Sequence, residues 1–358
     1  MRRAAALTAT VLLLIAGAHA DDDPRRIGTM LSGTLDGYIR PGYSRFAEAA
    51  SDLAETTAIL CEKPSPANLA KARAGLRETA LAWAGIESFR IGPVMVENRI
   101  ERILFYPDRK NTGLKQVERA VAGADRTTTE PDSLAGKSVA MQGLGALEFL
   151  LFGTGNRTLE TGDAYRCAYV HAIAENLSTI ASAVSGRWSE ETSISRQWLA
   201  PADDNPWFTT EPDIVAKTTG EIIRGLEVVK DTRIGAFLRD PPKGDRPKSA
   251  VLWRSASTMP VIAADLKGLR TLFVESRIET VLPDGYSALT ERIRSDFDHA
   301  VSIAESFDQP VAEIVETPQL RARLVDLRLA IGSLIRELDE EFLKATGLSI
   351  GFSFYDGD

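Results

Sequence analysis

The sequence predicts an all-α protein made of two helical bundles. Apolar residues recur three and four positions apart through long segments separated by short breaks, and segments with period-two alternation are few. A stretch rich in proline, aspartate and tryptophan, Trp198 to Pro212, divides the chain. One bundle is expected over 21–200 and the second over 201–358, each burying an apolar stripe of every helix.

Residues 1–20 read as a targeting segment. Arg2 and Arg3 form a basic start, Ala4 to Gly17 an apolar run, and Ala18-His19-Ala20 a small-x-small cleavage site. The run is too short and wrongly flanked to span a membrane, and no cysteine follows the cleavage point to carry a lipid. The mature chain is expected to begin near Asp21, in a bacterial periplasm, with no later segment able to cross a bilayer.

From Ile27 to Cys61 the pattern is helical, with a break expected near Pro41; Phe46, Ala50, Leu53, Thr57 and Leu60 form its stripe. Ser65-Pro66 is a capping residue followed by a first-turn proline. The next stripe runs Leu69, Leu76, Ala80, Trp83, Glu87 and Ile91, and Gly92-Pro93 ends or kinks that helix. After a short helix in 94–104 comes the aromatic loop Phe105 to Asp108. Asp108 or Asn111 caps a helix through Val121. A central apolar stretch spans Val139 to Gly155, and a long helix follows to about Trp188. Beyond the divide, helices are expected over Ile214–Leu238, Ser249–Leu282 with a kink at Pro260, Tyr286–Phe307 and Pro318–Thr346. Gly347 serves as the last C-cap.

The central stretch carries one carboxylate. Leu144, Leu147, Glu148 and Leu151 share a helix face, so Glu148 either has a buried partner or lines a cleft, because an unpaired buried charge is costly. Gly145 sits one turn earlier on that face, where glycine permits close packing or close approach of a ligand. Glu87 interrupts its own stripe. It either pairs locally with Arg90 or faces one cavity together with Glu148.

Two cysteines, Cys61 and Cys167, are expected to form a disulfide in an oxidising compartment. The rival is zinc, since Cys167 and His171 lie at i,i+4; no second ligand pair near Cys61 supports it. The formal charge of −8 becomes −10 once Arg2 and Arg3 are removed, which argues against nucleic acid and anionic lipid as partners. A glycine-rich phosphate loop, HExxH, CxxC and GxSxG are all absent.

The chain resembles the imelysin family, exported or envelope-attached bacterial proteins linked to iron uptake and first labelled peptidases. The resemblance rests on the Tyr38–Tyr43 bend, WAGIESFRIGP (Trp83–Pro93), FYPDRK (Phe105–Lys110), QGLGALEFLLFG (Gln142–Gly153), RCAYVHAIAENL (Arg166–Leu177) and the terminal GFSFYDGD. It implies two four-helix-type bundles with a cleft between them, and a GxHxxE motif whose histidine and glutamate may share a metal. The matching positions are Gly143, Gly145 and Glu148, so glycine stands where the family has histidine. A carboxylate site could replace that pair: Glu148 with Glu87, aided by Glu97 or Asp108, offers oxygens suited to ferric iron, manganese or calcium. The opposing reading pairs a buried Glu148 with Arg90 or Arg99.

Three functions follow. The first is a periplasmic binding protein in iron or other metal acquisition, working with envelope iron-uptake components. The second is an interaction module or a binder of a non-metal ligand, with a degenerate metal motif. The third, a peptidase, finds no catalytic constellation in this sequence.

Overall fold

Pro24–Gly33 (α1) and Arg40–Glu62 (α2) form one helical rod, joined through a π-helical segment, Thr34–Ile39. The computed structural model describes residues 24–189, 193–202, 204–205 and 209–346; the targeting segment 1–20, Gly347 and the tail GFSFYDGD lie outside them. The break expected near Pro41 is absent. A proline inside a helix removes a donor and crowds the carbonyl four residues back. The wider π turn just before Pro41 relieves that crowding without ending the helix. Beyond it, α2 buries Phe46, Ala50, Leu53, Thr57 and Leu60.

Ser65 opens the next helix, Pro66–Ala84 (α3), its side chain accepting from the Asn68 amide at 3.2 Å. This helix ends at Ala84, short of Gly92-Pro93. Glu87 therefore lies in the turn after α3 and not on its stripe. The cause is a close crossing: a Cβ on Gly268 of the second half would collide with the Gly85 carbonyl. Glycine at 268 lets the two backbones meet where α3 stops.

Thr112–Gly123 (α4) and Leu144–Phe152 (α5) lead to the long helix Ala164–Ser189 (α6). Helices α2, α3, α5 and α6 pack around one core, and a disulfide joins Cys61 at the end of α2 to Cys167 in the first turn of α6, with Cα atoms 5.4 Å apart. The disulfide reading holds. His171 sits beside Thr57, Nδ1 to Oγ1 3.3 Å, and beside Glu175, Nε2 to Oε1 3.3 Å.

In the second half, Glu211–Glu227 (α7) runs on as a π segment, Val228–Ile234, and packs with Thr258–Glu275 (α8), Ser287–Glu305 (α9) and Pro318–Arg336 (α10). Helix α8 also packs on α3 and on the segment Thr34–Ile39, so the two halves share a buried boundary. The long helix expected from Ser249 does not form. Residues 250–256 make a tight turn, and α8 starts only at Thr258, which puts Pro260 in a first turn that tolerates it. Among the described residues there is no strand, and no helix is long and apolar enough to cross a membrane.

Candidate functional site

The short helix α5 is buried almost all round: Leu144, Ala146, Leu147, Glu148, Phe149, Leu150 and Leu151 are enclosed. Gly145 is the exception. It is exposed, and a Cβ built on it would meet nothing within 4 Å. Gly143 is the opposite case, because a Cβ there would lie 2.5 Å from the Ile103 carbonyl oxygen and 2.6 Å from that of Arg102. The two glycines thus serve different ends: Gly143 lets two backbone segments touch, and Gly145 opens onto a cavity. Gly143→Ala is expected to lower stability by about 1–3 kcal/mol through overpacking. Gly145→Ala should raise it by about 0.5–1 kcal/mol by restoring helix propensity. Urea midpoints of the two variants check this, and equal losses would refute the division of roles.

Glu148 is 3 % exposed. Its Oε1 accepts from the Ser255 amide at 2.9 Å and lies 3.0 Å from Ser255 Oγ; its Oε2 lies 3.7 Å from Arg254 Nη1. Burial pushes the carboxyl upward, while the Ser255 amide, the Arg254 charge and the Ser255 hydroxyl pull it back. The partners come from the turn between α7 and α8, which is held in an uncommon shape. Leu252 (φ 48°) and Ala256 (φ 56°) flank Trp253–Ser255 in the left-handed region, conformations that side chains other than glycine seldom adopt. Thr258 Oγ1 donates to the Val251 carbonyl at 2.6 Å, and Arg77 donates to the Ser255 carbonyl through Nε (3.1 Å) and Nη2 (3.0 Å). Truncating Glu148 would leave the Ser255 amide buried and unpaired. Glu148→Ala should therefore destabilise by about 2–4 kcal/mol, and Glu148→Gln, which keeps an accepting oxygen, by about 1 kcal/mol. Denaturant unfolding distinguishes them; equal effects would mean that charge, not the accepted hydrogen bonds, is what matters.

Around this anchor lies a cavity of about 640 Å³, lined from both halves of the chain. The first half supplies the loop 104–109, the start of α4 and the Gly143–Phe149 face of α5. The second supplies residues around Asp231, Gly235 and Arg239 and the stretch Arg246–Arg254. Arg254 stacks over Trp253 (4.5 Å to the ring centre) and Phe149 (5.6 Å), and Lys248 lies over Trp253 at 5.9 Å. Tyr106 forms a wall, its hydroxyl donating to the Ser249 carbonyl at 3.0 Å; burial pushes that phenol up to about 12.

Of the four carboxylates proposed from sequence, only two share the cavity. Glu148 and Asp108 both line the cavity; Glu87 and Glu97 do not. Asp108 Oδ1 accepts from the Thr112 amide (2.7 Å) and Oδ2 from those of Gly113 (2.9 Å) and Leu114 (3.2 Å), the capping role expected of it. Glu87 is buried in an ion pair with Arg233, which also approaches Asp265 (3.4 Å). Glu97 is exposed and bonds to Arg99 at 2.9 Å. The arginine expected beside Glu148 is a third one. Arg254 takes that place, while Arg99 serves Glu97 and the Pro93 carbonyl, and the Arg90 amide donates to Glu221. Among the described residues no group of three or more His, Cys, Asp or Glu is arranged to hold a metal ion. With glycine at 145 and the oxygens of Glu148 and Asp108 already engaged, these residues do not fit a bare cation.

The sequence reading missed Trp253, Arg254 and Ser255 by placing them inside a helix. The signal was present: Ser255-Ala256-Ser257-Thr258 before Pro260 is a run of capping residues ahead of a first-turn proline, a better helix start than Ser249.

All-helical halves that meet at a cavity lined by Gly143, Gly145 and Glu148 make this an all-α protein with one cleft site shared by both halves. The imelysin (Peptidase_M75) family model matches residues 39–338, and the chain belongs to that family. Its fold is similar to that of an imelysin-like protein from Psychrobacter arcticum 273-4, with TM-score 0.77 at 16 % identity, covering 93 % of this chain and 99 % of that one. It is also similar to a protein assigned as an iron-regulated protein A precursor from Parabacteroides distasonis ATCC 8503, with TM-score 0.70 at 12 % identity, covering 90 % and 97 %. A search among curated proteins returned no match.

Proposed function

We propose that this chain is an exported, periplasmic binding protein of the imelysin type, serving iron or other metal acquisition, and that it takes its ligand in the cleft beside Glu148. The observation that carries the reading is the 640 Å³ cavity built from both halves, a size suited to a small molecule. At that cavity Gly145 leaves open space where the family has a side chain. Export is supported by the basic start, apolar run and cleavage site of residues 1–20. The assignment of a structural neighbour as an iron-regulated precursor supports the link to iron. In this reading envelope iron-uptake components receive the ligand. A bare hard cation held by carboxylates has less support, because Glu87 and Glu97 lie away from the cavity.

The test is a plug. Gly145→Trp places an indole in the open space while leaving the core face of α5 untouched. Extracts of the source periplasm, fractionated for small molecules, should raise the melting temperature of the wild-type chain and not that of the plugged variant. If no fraction separates the two proteins, the cleft is not a binding site.

A further inference from the structure

The lining of the cleft has a charge that the protein as a whole does not. The chain carries a formal −8, yet the cavity is faced by five cationic side chains, Arg109, Arg239, Arg246, Lys248 and Arg254, against three acidic ones. All three acids are already engaged. Asp108 accepts three backbone amides, Glu148 is held by Ser255 and Arg254, and Asp231 lies 3.4 Å from Lys230. Arg109, Arg239, Arg246 and Lys248 are exposed, and among the described residues no ion pair engages their charged heads; Arg239 bonds Asp245 only through its backbone amide, and its guanidinium donates to the Ala236 carbonyl at 3.2 Å. Like charges gathered around a concave, partly apolar wall repel one another, and an anion placed among them removes that repulsion. Arg and Lys together provide forked and point donors for oxyanions. Phe105, Phe149 and Trp253 supply apolar walls for a carbon skeleton.

Resting on the binding-protein reading above, we propose that the ligand is a small polyanion bearing two or more carboxylate or phosphate groups, recognised by the Arg246–Lys248–Arg254 side of the cleft. A metal would enter this site as part of an anionic chelate, its charge already enclosed by the ligand, and not as a free ion on protein carboxylates.

Calorimetric titration of the mature chain tests this with citrate, ferric citrate and inorganic pyrophosphate, against manganese and calcium ions alone. At least one polyanion is expected to bind, with affinity falling as salt rises. Citrate against pyrophosphate distinguishes carboxylate from phosphate, and citrate against ferric citrate distinguishes the free acid from the chelate. Arg246→Ala with Lys248→Ala removes two exposed charges and should weaken binding at least tenfold with an unchanged melting temperature. The charge-conserving pair Arg246→Lys with Lys248→Arg should retain most of it. Failure of all three polyanions, or equal binding by the neutralised variant, overturns the proposal. Should a cation or a neutral compound then bind in a manner blocked by Gly145→Trp, the binding-protein reading survives without it. Should nothing bind in that manner, both fall.

Discussion

Arg233→Ala is expected to destabilise the fold by about 3–5 kcal/mol, the loss typical of removing one partner from a buried charge pair. The guanidinium is 4 % exposed and is hydrogen bonded to Glu87, itself 5 % exposed, from the opposite half of the chain. Its Nε lies 3.4 Å from Asp265 Oδ2 without forming a hydrogen bond, and its charge sits over the Tyr106 ring at 5.0 Å. One cation thus faces two buried carboxyls, and the geometry gives Glu87 the close contact. Burial, then the Glu87 charge, push Asp265 well above its ordinary 3.8, against the pull of Arg233. Removing Arg233 leaves Glu87 without its counter-charge at the boundary between the halves. Asp265→Asn makes the contrast. Folding favours the protonated form of Asp265, so the native state holds a proton that the unfolded chain releases above pH 3.8. Stability from this group is fully present below that value and declines as pH rises toward the raised native value. Asp265→Asn should remove that decline, leaving stability little changed below pH 3.8 and above that of the wild type as pH rises toward neutral. Urea unfolding across pH checks both variants. An Arg233→Ala loss under about 1 kcal/mol would mean that the pair is solvated and weak.

Much of the scaffold was legible because it depends on local periodicity. The α2 stripe, the Ser65 cap, the long α6 helix and the helices α9 and α10 follow from spacing and end signals within a single segment. Glu148 was also visible as an anomaly, a charge on an apolar face that calls for a buried partner or a cleft; its carboxylate accepts from the buried Ser255 amide and lies on the cavity wall. What sequence could not supply was the partner. Ser255 lies 107 positions away, and a contact of that separation leaves no trace in local spacing. Two errors had the same physical source. Ala250, Val251, Leu252 and Trp253 form a short apolar run ahead of the capping residues, and such a run does not by itself separate a turn from a helix, so the turn that builds the site read as helix. Gly85 does not interrupt a helical pattern by itself, and only the crossing with Gly268 makes it an end. On that stripe Glu87 is expected either to pair with Arg90 or to share a cavity with Glu148, whereas the turn after Gly85 delivers it to Arg233.

Replacing Cys61 and Cys167 together by serine is expected to lower stability by about 2–5 kcal/mol, with the chain-entropy model near 4.7 kcal/mol for a loop of about 100 residues. The bond ties positions 106 apart, joining the end of α2 to the start of α6. Those two helices also pack along their length around the first-half core, so the folded arrangement does not depend on the bond to bring them together. Most of the effect therefore belongs to the unfolded chain, which without the bond gains the freedom of the whole enclosed segment, including α3, α4 and α5. The serine variant should keep the helical circular dichroism of the native protein while its urea midpoint falls. An entropic origin also separates this loss from that of Arg233→Ala: it should stay constant as pH rises above 3.8, the range over which the stability from Asp265 declines. An unchanged midpoint would place the stabilisation wholly in the helix packing. A loss that varies with pH would show that the segment closed by the bond carries the buried charges with it when it loosens.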